Sequence, residues 1–328
     1  MAEDGSSSAR EEDYPRTLPE FEERFASEAA CRAYLRQLRW PGGFRCPACE
    51  TDRGWATGRS DLMECAHCHH QTSVTAGTIF EGTRKPLTMW FRAMWWVTSQ
   101  KTGVSAVGLQ CQLGLGSYQT AWAWLHKLRR AMVRPGRDRL SGVVEVDETF
   151  VGGEEAGVHG RETITKSLVA VAAEEDDTRI GRIRLRRIAD ASARSLEPFI
   201  GEAVEPGSMV PTDGWLGYRG VAALGYRHRI TSIRQSARPA HEAMPRVHRV
   251  ASLLKRWLLG THQGAVSPEH LDYYLDEFTF RFNRRTSRSR GKLFYRLIQQ
   301  ALVVDPVPYK TLVGGTTAKG PPHHVGST

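Results

Sequence analysis

The spacing of hydrophobic residues along the chain changes character near residue 142. Before this point, apolar residues recur every three or four positions, which is typical of helices that bury one face. Helices are predicted at 18–38, with Ser27 as a cap between two shorter segments, and at 87–100, 104–111 and 117–132. The helix at 87–100 is crowded with aromatic residues, and we interpret its aromatic stripe as core.

Beyond residue 142 the pattern favours strands that alternate with helices. Val143, Val144 and Val146 are β-branched and suit a buried strand. Strands are predicted at 143–150, 164–173, 180–188 and 209–212, and helices at 192–203, 214–223, 245–259 and 267–282. Gly260 is expected to end the helix at 245–259. The pattern indicates a mixed α/β domain that opens with a meander of three strands.

Composition divides the chain into five regions. Together with the strand and helix pattern, this predicts a multidomain α/β fold class. We predict disorder for the charged, Ser-rich residues 1–17 and a loose tail over the Pro-, Gly- and Thr-rich residues 304–328. Between them lie a helical lead-in with a cysteine-rich segment at 18–82, a helical region at 83–136 and the α/β domain at 137–303. Pro135 and Gly136 mark the last of these boundaries.

The charge balance favours a polyanionic partner. Lys and Arg number 45 against 36 Asp and Glu, which gives a formal net charge of +9. The first residues are polar and acidic with no apolar run behind them, so no signal peptide is expected. The densest apolar stretch, 89–97, contains Arg92 and is too short to cross a membrane. We therefore expect a cytoplasmic protein without a membrane partner.

Two pairs of cysteines form the clearest motif in the chain. Cys46 and Cys49 are two residues apart, as are Cys65 and Cys68, and fifteen residues separate the pairs. This spacing predicts a zinc ribbon, in which four thiolates close a structural Zn²⁺ site. A redox motif would explain one pair but not both. Nearby histidines could compete as ligands, although four cysteines already saturate the metal. A nucleic-acid contact and a pure folding role both remain open for the ribbon.

A short helix, a turn with two glycines and a longer helix follow the ribbon. This is the pattern of a helix-turn-helix, although many helical hairpins share it. The DNA-contacting side chains predicted on the longer helix are Gln119, Lys127, Arg129 and Arg130. A basic segment after the helix at 267–282 adds Arg284 and Arg285, for which phosphate contact and simple solvation are both open.

Two acids sit where strands are predicted to end. Asp147 closes the first strand of the α/β domain, and Asp213 follows the strand at 209–212. His248 and Lys255 lie seven residues apart on one helix and so share a face. Two carboxylates with a third ligand describe a phosphoryl-transfer site that holds paired divalent ions, Mg²⁺ or Mn²⁺. Glu145 and Glu148 are expected to point to the opposite strand face and are left out of the site.

Several of these segments together resemble the ISXO-like insertion-sequence transposases (the IS-fifteen-ninety-five family). The motifs that carry the resemblance are CPAC, DLMECAHCHHQTSVTAGTIFEGTRKPLTMWF, VEVDETFVGG, PTDGWLGY, HRVASLLKRWLLGTHQG and YLDEFTFRFNRR. They cover roughly residues 20–300, which is nearly the whole chain.

The resemblance implies a ribonuclease-H-like catalytic domain that cuts and rejoins DNA at terminal inverted repeats with a divalent metal. Asp147, Asp213 and Lys255 match the family pattern. His248 stands where the family most often has Asn or Glu. Several roles are open to it: it could bind the metal directly, hold the metal through a water molecule or donate a proton. It could also mark a decayed site or be a packing histidine.

A DNA transposase is the leading hypothesis for function. Its expected partners are double-stranded DNA, as terminal inverted repeats and target, and further copies of the chain assembled on that DNA. The expected location is the bacterial-type cytoplasm, in association with the nucleoid. A DNA-binding regulator with an inactive ribonuclease-H-like domain is the main alternative, and a nuclease without strand transfer is another.

Overall fold

A computed structural model describes residues 12–58, 62–134, 136–153, 166–231, 240–264 and 266–314. Contacts divide the chain into two compact units, Met1–Gln100 with Ser287–Pro306 and Lys101–Thr286 with Val307–Thr328. The region predicted at 83–136 contributes to both units, because its first helix belongs to the first unit and its later helices to the second.

The regular elements follow one another in an order close to the predicted one. The helices are α1 (Leu18–Arg24), α2 (Glu28–Arg39), α3 (Leu87–Ser99), α4 (Ala106–Leu113), α5 (Tyr118–Ala131), α6 (Ala193–Ala203), α7 (Ala240–Ala243), α8 (Pro245–His262), α9 (Leu271–Asn283), α10 (Arg290–Ala301) and α11 (Tyr309–Val313). The strands are β1 (Gly54–Ala56), β2 (Leu62–Cys65), β3 (Gln71–Ser73), β4 (Val144–Val151), β5 (Ser167–Asp176), β6 (Arg179–Ile188), β7 (Met209–Thr212) and β8 (Arg227–Ile230).

Aromatic side chains form the core of the first unit. Phe21 of α1 stacks on Trp95 of α3 with ring centroids 4.7 Å apart, and Phe294 of α10 meets Phe21 edge-on at 5.2 Å. The aromatic stripe of α3 is therefore core, as predicted. Ser27 accepts a hydrogen bond from the Ala30 N–H at 3.2 Å, which caps α2 and separates it from α1.

The segment before α1 is tied to the first unit over the residues that the structure describes. Disorder was predicted for residues 1–17, of which 1–11 lie outside the described part of the chain. Asp13 pairs with Arg24, and its carbonyl accepts a hydrogen bond from the Tyr34 hydroxyl at 2.8 Å. The predicted disorder is therefore wrong for the described residues 12–17.

The second unit contains the predicted meander. Strands β4, β5 and β6 pair antiparallel in that order, and Asp147 lies opposite Val171. Strands β7 and β8 pair parallel, and a parallel bridge between Val143 and Met209 joins β7 to the beginning of β4. The strands therefore follow the order β6, β5, β4, β7, β8. Strand β8 was not predicted, and residues 164–165 of the second predicted strand lie outside the described residues.

Apolar side chains cover both faces of this sheet. Val144 and Val146 belong to a core shared with Phe199 and Ile200 of α6. On the other face, alternate residues of β5 and β6 join a core built with α8 and α9. Strand β4 is thus buried between two helical layers, and any charged side chain on it needs a partner.

Two predicted helices differ from the structure. Residues 214–223 form two short 3₁₀ turns, Leu216–Tyr218 and Val221–Leu224, rather than an α-helix. Gly217 lies so close to the Ala191 carbonyl that a Cβ there would be 2.3 Å from the oxygen, so this close approach requires glycine. Helix α8 continues through Gly260 and ends at His262, and the cap residue Gln263 has a left-handed φ of 52°.

The tail predicted at 304–328 begins with ordered structure. Residues 315–328 lie outside the described residues. Before them α11 buries Leu312, and the Leu312 carbonyl lies 2.8 Å from Nε2 of His270. None of the helices in the described part of the chain combines the length and hydrophobicity needed to cross a bilayer.

A buried ionic network joins α5 to α9. Nε of Arg129 donates to Glu277 at 2.7 Å, and Nε of Arg281 donates to the other Glu277 oxygen at 2.8 Å. Burial alone would raise the pKa of Glu277, but the two guanidinium groups lower it to about 2. Arg129 also approaches Nε2 of His126 at 3.4 Å, so this imidazole is neutral.

The buried imidazole predicts a pH-dependent stability. Burial and the neighbouring Arg129 lower the pKa of His126 to about 2. In the unfolded chain this imidazole binds a proton near pH 6.5, whereas in the native state it stays neutral. The free energy of unfolding therefore falls by about 1.4 kcal/mol per pH unit below that pH. His126→Gln should remove this contribution in denaturant titrations between pH 6 and 4.

The matched control is Gln119→Ala, which removes an exposed side chain without a titratable group from the same helix. It should leave the slope of stability against pH unchanged. An equal slope in His126→Gln and wild type would contradict the prediction.

Candidate functional site

The four predicted zinc ligands converge in the ribbon formed by β1, β2 and β3. Their sulfur atoms all lie within 4.8 Å of one another, with Cys46 and Cys68 at 3.6 Å and Cys49 and Cys65 at 3.5 Å. Thiolates bound to Zn²⁺ at ~2.3 Å lie roughly 3.8 Å apart in a tetrahedron, so the spacing fits this metal.

Backbone donors and a neighbouring histidine support the same assignment. The N–H groups of His67 and Cys68 point at the Cys65 sulfur at 3.3 and 3.4 Å, which favours its thiolate form. Nδ1 of His69 lies 3.3 Å from a Glu64 oxygen. His69 is thus occupied outside the sulfur cluster, and four cysteines make up the site.

Asp147 lies in the middle of its strand rather than at the end. Strand β4 continues to Val151, so the predicted strand-end position is wrong. Asp213 does follow the last residue of β7, as predicted. Val143 bridges Met209 in parallel, and each acid comes four residues later, so the chain runs in the same direction from this bridge to Asp147 and to Asp213.

Helix α8 brings the third predicted ligand to Asp147. Nε2 of His248 lies 3.8 Å from Oδ2 of Asp147, and the two side chains are 33% and 15% exposed. Among the described residues, the four cysteines are the only group of three or more possible ligands within 4.8 Å of one another. Asp147, Asp213 and His248 therefore do not form a closed ligand shell in this structure.

Lys255 extends from the exposed side of α8, two turns beyond His248. Nearby protein atoms remove part of the hydration of its ammonium group, and together with Lys166 they lower its pKa. A second lysine that the sequence did not single out thus lies near the first. Two neighbouring ammonium groups favour an anion between or beside them.

Glu148, which the sequence analysis left out of the site, is bound to a buried tyrosine. One of its oxygens accepts a hydrogen bond of 2.7 Å from the hydroxyl of Tyr218, which is fully buried. Burial raises the pKa of Tyr218 well above its usual value, and the carboxylates of Glu148, Asp147 and Asp213 raise it further. The Tyr218 hydroxyl is therefore within electrostatic reach of all three acids, although it bonds to Glu148 alone among them.

Glu145 was wrongly assigned to the strand face opposite Asp147. It precedes Asp147 by two residues, and a strand returns to the same face after two. Its carboxylate contacts the first turn of α8. The alternation rule does place Glu148 on the other face, where Tyr218 belongs to the core with Val144 and Val146.

A cleft of about 620 Å³ adjoins the segment that follows Asp213. Its lining includes Phe150, Lys166, Ser192 and Trp215. The indole N–H of Trp215 donates to the Ala191 carbonyl at 2.7 Å, which fixes the ring. The cleft is large enough for a nucleotide-sized group and presents an aromatic ring and an ammonium group to it.

Helices α4 and α5 are joined by a short turn in which Gly114 adopts a left-handed conformation with φ of 61°. Gln119 is exposed, and Lys127 and Arg130 are half-buried. Arg129 is 1% exposed and pairs with Glu277, so the prediction that it contacts DNA is wrong.

The two arginines predicted after α9 pack on that helix. The guanidinium groups of Arg284 and Arg285 lie 4.2 and 4.1 Å from the ring centroids of Phe280 and Phe282. Arg285 also donates to the Gly181 carbonyl at 3.2 Å. Phosphate contact by this pair stays a prediction.

Comparison with known proteins identifies two regions of the chain. The model of the ISXO2-like transposase domain matches residues 139–283, and the model of the transposase zinc-ribbon domain matches residues 26–71. The chain is 30% identical over 141 residues to an uncharacterized protein in transposable element ISH50 of Halobacterium salinarum. This match covers 42% of the chain and 46% of that protein, so the chain spans less than half of the relative's length.

The cysteine ribbon and the mixed α/β domain are thus both matched by transposase domain models, which places the chain in the transposase class of proteins. The chain carries both the zinc ribbon and the transposase domain of the ISXO-like insertion-sequence transposases. The resemblance drawn from its sequence motifs is therefore confirmed.

The zinc ribbon predicts a defined metal content. Cys65→Ser should lower the bound zinc from about one ion per chain to none, because a structural site needs all four ligands. Elemental analysis of purified protein measures this directly. Cys111→Ser is the matched control, since Cys111 is exposed and lies outside the cluster. Zinc retained at full level in Cys65→Ser would contradict the assignment.

Proposed function

We propose that this protein is the DNA transposase of an insertion sequence, which binds terminal inverted repeats and catalyses metal-dependent strand cleavage and strand transfer. One observation carries the proposal. A helix that begins 98 residues after Asp147 places His248 within 3.8 Å of it, beside a parallel strand that delivers Asp213. Packing alone gives no reason to bring these groups from three separate elements to the middle of strand β4.

The carboxylates of Asp147 and Asp213 would hold the divalent ions. When bound, such ions polarise the phosphate and stabilise the attacking and leaving oxygens. Glu148 adds negative charge next to them and is held in place by Tyr218. Lys255 would bind a phosphate of the DNA strand near the reacting one, with Lys166 beside it.

His248 makes this site differ from an all-carboxylate one. Magnesium prefers oxygen ligands, whereas imidazole also suits manganese. The proposed role of His248 is that of a third ligand next to Asp147, with a preference for Mn²⁺ over Mg²⁺. The distance of 3.8 Å would have to shorten around a bound ion.

The remaining parts of the chain supply DNA binding in this proposal. The strand order β6, β5, β4, β7, β8, with only the last two junctions parallel, supports a ribonuclease-H-like arrangement. Helices α4 and α5 would act as a helix-turn-helix through Gln119, Lys127 and Arg130. The zinc ribbon and the pair Arg284 and Arg285 would add backbone contacts.

Transposition joins two ends of one element, so two or more copies of the chain would assemble on DNA. The proposed setting is the bacterial-type cytoplasm, on the nucleoid. The target DNA would enter the same site after the first cleavage.

Removal of the central carboxylate gives the first test. Asp147→Asn should slow cleavage of a labelled terminal inverted repeat by at least about 10³-fold, because it removes a charged metal ligand. Affinity for the uncut DNA should stay within about three-fold in a gel-shift assay. Asp305→Asn, at an exposed aspartate of the first unit, is the control.

Normal cutting by Asp147→Asn would remove this residue from the site. If wild type binds the repeat but cuts it with neither metal, the regulator with an inactive domain becomes the better account.

The third ligand gives a second test. His248→Ala should lower the cleavage rate with both Mn²⁺ and Mg²⁺, and His248→Glu should restore it chiefly with Mg²⁺. The measured quantity is the cleavage rate with Mn²⁺ divided by the rate with Mg²⁺. We expect this ratio to be at least ten-fold lower in His248→Glu than in wild type. An unchanged ratio, or full activity of His248→Ala, would place the third ligand elsewhere.

A further inference from the structure

The carboxylate of Glu145 is bound to the N-terminus of α8. The side chain belongs to strand β4, and the residue is 3% exposed. Its Oε2 accepts hydrogen bonds from the N–H groups of Arg246 and Val247 at 2.8 and 3.0 Å. Its Oε1 accepts from the Arg246 guanidinium at 2.9 Å.

These contacts replace a cap that the helix sequence does not supply. Met244 precedes α8 and makes no side-chain hydrogen bond to the helix, and Pro245 at the first position has no N–H. The next N–H groups have no partner within the helix. A carboxylate from a distant strand satisfies them and complements the positive end of the helix dipole. The same contacts compensate the burial of a negative charge.

The contact of the Glu145 carboxylate with the first turn of α8, called the seat below, lies next to the proposed site on both β4 and α8. Asp147 is two residues beyond Glu145 on the same face of β4. His248 directly follows Val247 in the first turn of α8. Two contacts, one through Glu145 and one between His248 and Asp147, therefore join the same short stretch of strand to the same helical turn. A shift of this turn would separate His248 from Asp147.

We propose that Glu145 is the positioning residue that holds His248 against Asp147. The consequence for DNA cleavage rests on the proposed function, whereas the seating of α8 does not. Glu145 touches neither metal nor substrate in this scheme. It acts by fixing where the imidazole stands, and a displacement of about 1 Å can cost ~10²-fold in rate.

The chain offers a matched control for the charge of Glu145. Arg246 also pairs with Glu175 at 2.8 Å. Over the part of the chain that the structure describes, the Glu175 carboxylate forms an ion pair with Arg246 alone, whereas Glu145 also binds the helix backbone. Loss of the Glu175 pair therefore leaves the cap of α8 in place, and Glu175→Gln separates loss of an ion pair from loss of the seat.

The experiment measures single-turnover cleavage of a labelled terminal inverted repeat with Mn²⁺. Glu145→Ala should lower the maximal rate about 100-fold and leave the DNA concentration for half-maximal rate within two-fold. Glu145→Gln keeps one acceptor oxygen and should lose about ten-fold. Glu175→Gln should stay within two-fold of wild type. In a His248→Ala background, Glu145→Ala should cost less than three-fold further, because it acts through the missing imidazole.

A rate for Glu145→Ala equal to wild type, or a full 100-fold loss that persists without His248, would overturn the inference. Amide hydrogen exchange at Val247 and His248 gives a reading that needs no activity. It should be at least ten-fold faster in Glu145→Gln than in wild type and unchanged in Glu175→Gln. Equal exchange in Glu145→Gln and wild type would overturn the seat itself. Absence of cleavage by wild type would count against the proposed function, and the exchange rates would still decide the role of Glu145.

Discussion

Strand β4 carries three carboxylates within four residues, and each has to be compensated between two helical layers. Glu145 is bound by the N-terminus of α8 and by Arg246. Glu148, on the other face, accepts a hydrogen bond from the buried hydroxyl of Tyr218. Asp147 receives the N–H of Glu148 at 2.8 Å and faces His248. Burial of a charge is costly without such partners, so the acids of β4 dictate where α8 and the segment after β7 must pack.

Local pattern was enough to predict the meander and most of the helices, because their hydrophobic periods and caps lie within a few residues of one another. Ser27, for example, caps α2 as its position suggests. The segment 214–223 could not be predicted in this way, since its local pattern does not show that Gly217 packs closely against the carbonyl of Ala191. Strand β8 was missed because its exposed, polar residues give no apolar signal until β7 pairs with them.

The same distinction separates the site residues. Asp213 and the four cysteines could be located from motif and spacing. Glu145 could have been placed correctly from the two-residue period of a strand alone. Arg129 could not, because its exposure is decided by Glu277, which lies 148 residues further along the chain. Nor does sequence reveal that Tyr218 reaches Glu148, since a turn of 3₁₀ helix carries it there.

Net charge is a poor guide to where DNA would lie on this protein. Arg129, Arg246 and Arg281 all serve buried or half-buried carboxylates, so they contribute to the formal charge of +9 without offering a surface to phosphate. Charged groups that lie close to groups of the same sign tell more about where a ligand would bind. Asp147, Glu148 and Asp213 raise the pKa of Tyr218 together, and Lys166 lowers that of Lys255. Like charges therefore lie close to one another among the acids and between the two lysines. A divalent cation near the acids and a phosphate near the lysines are the two ligands that the proposed phosphoryl transfer would require.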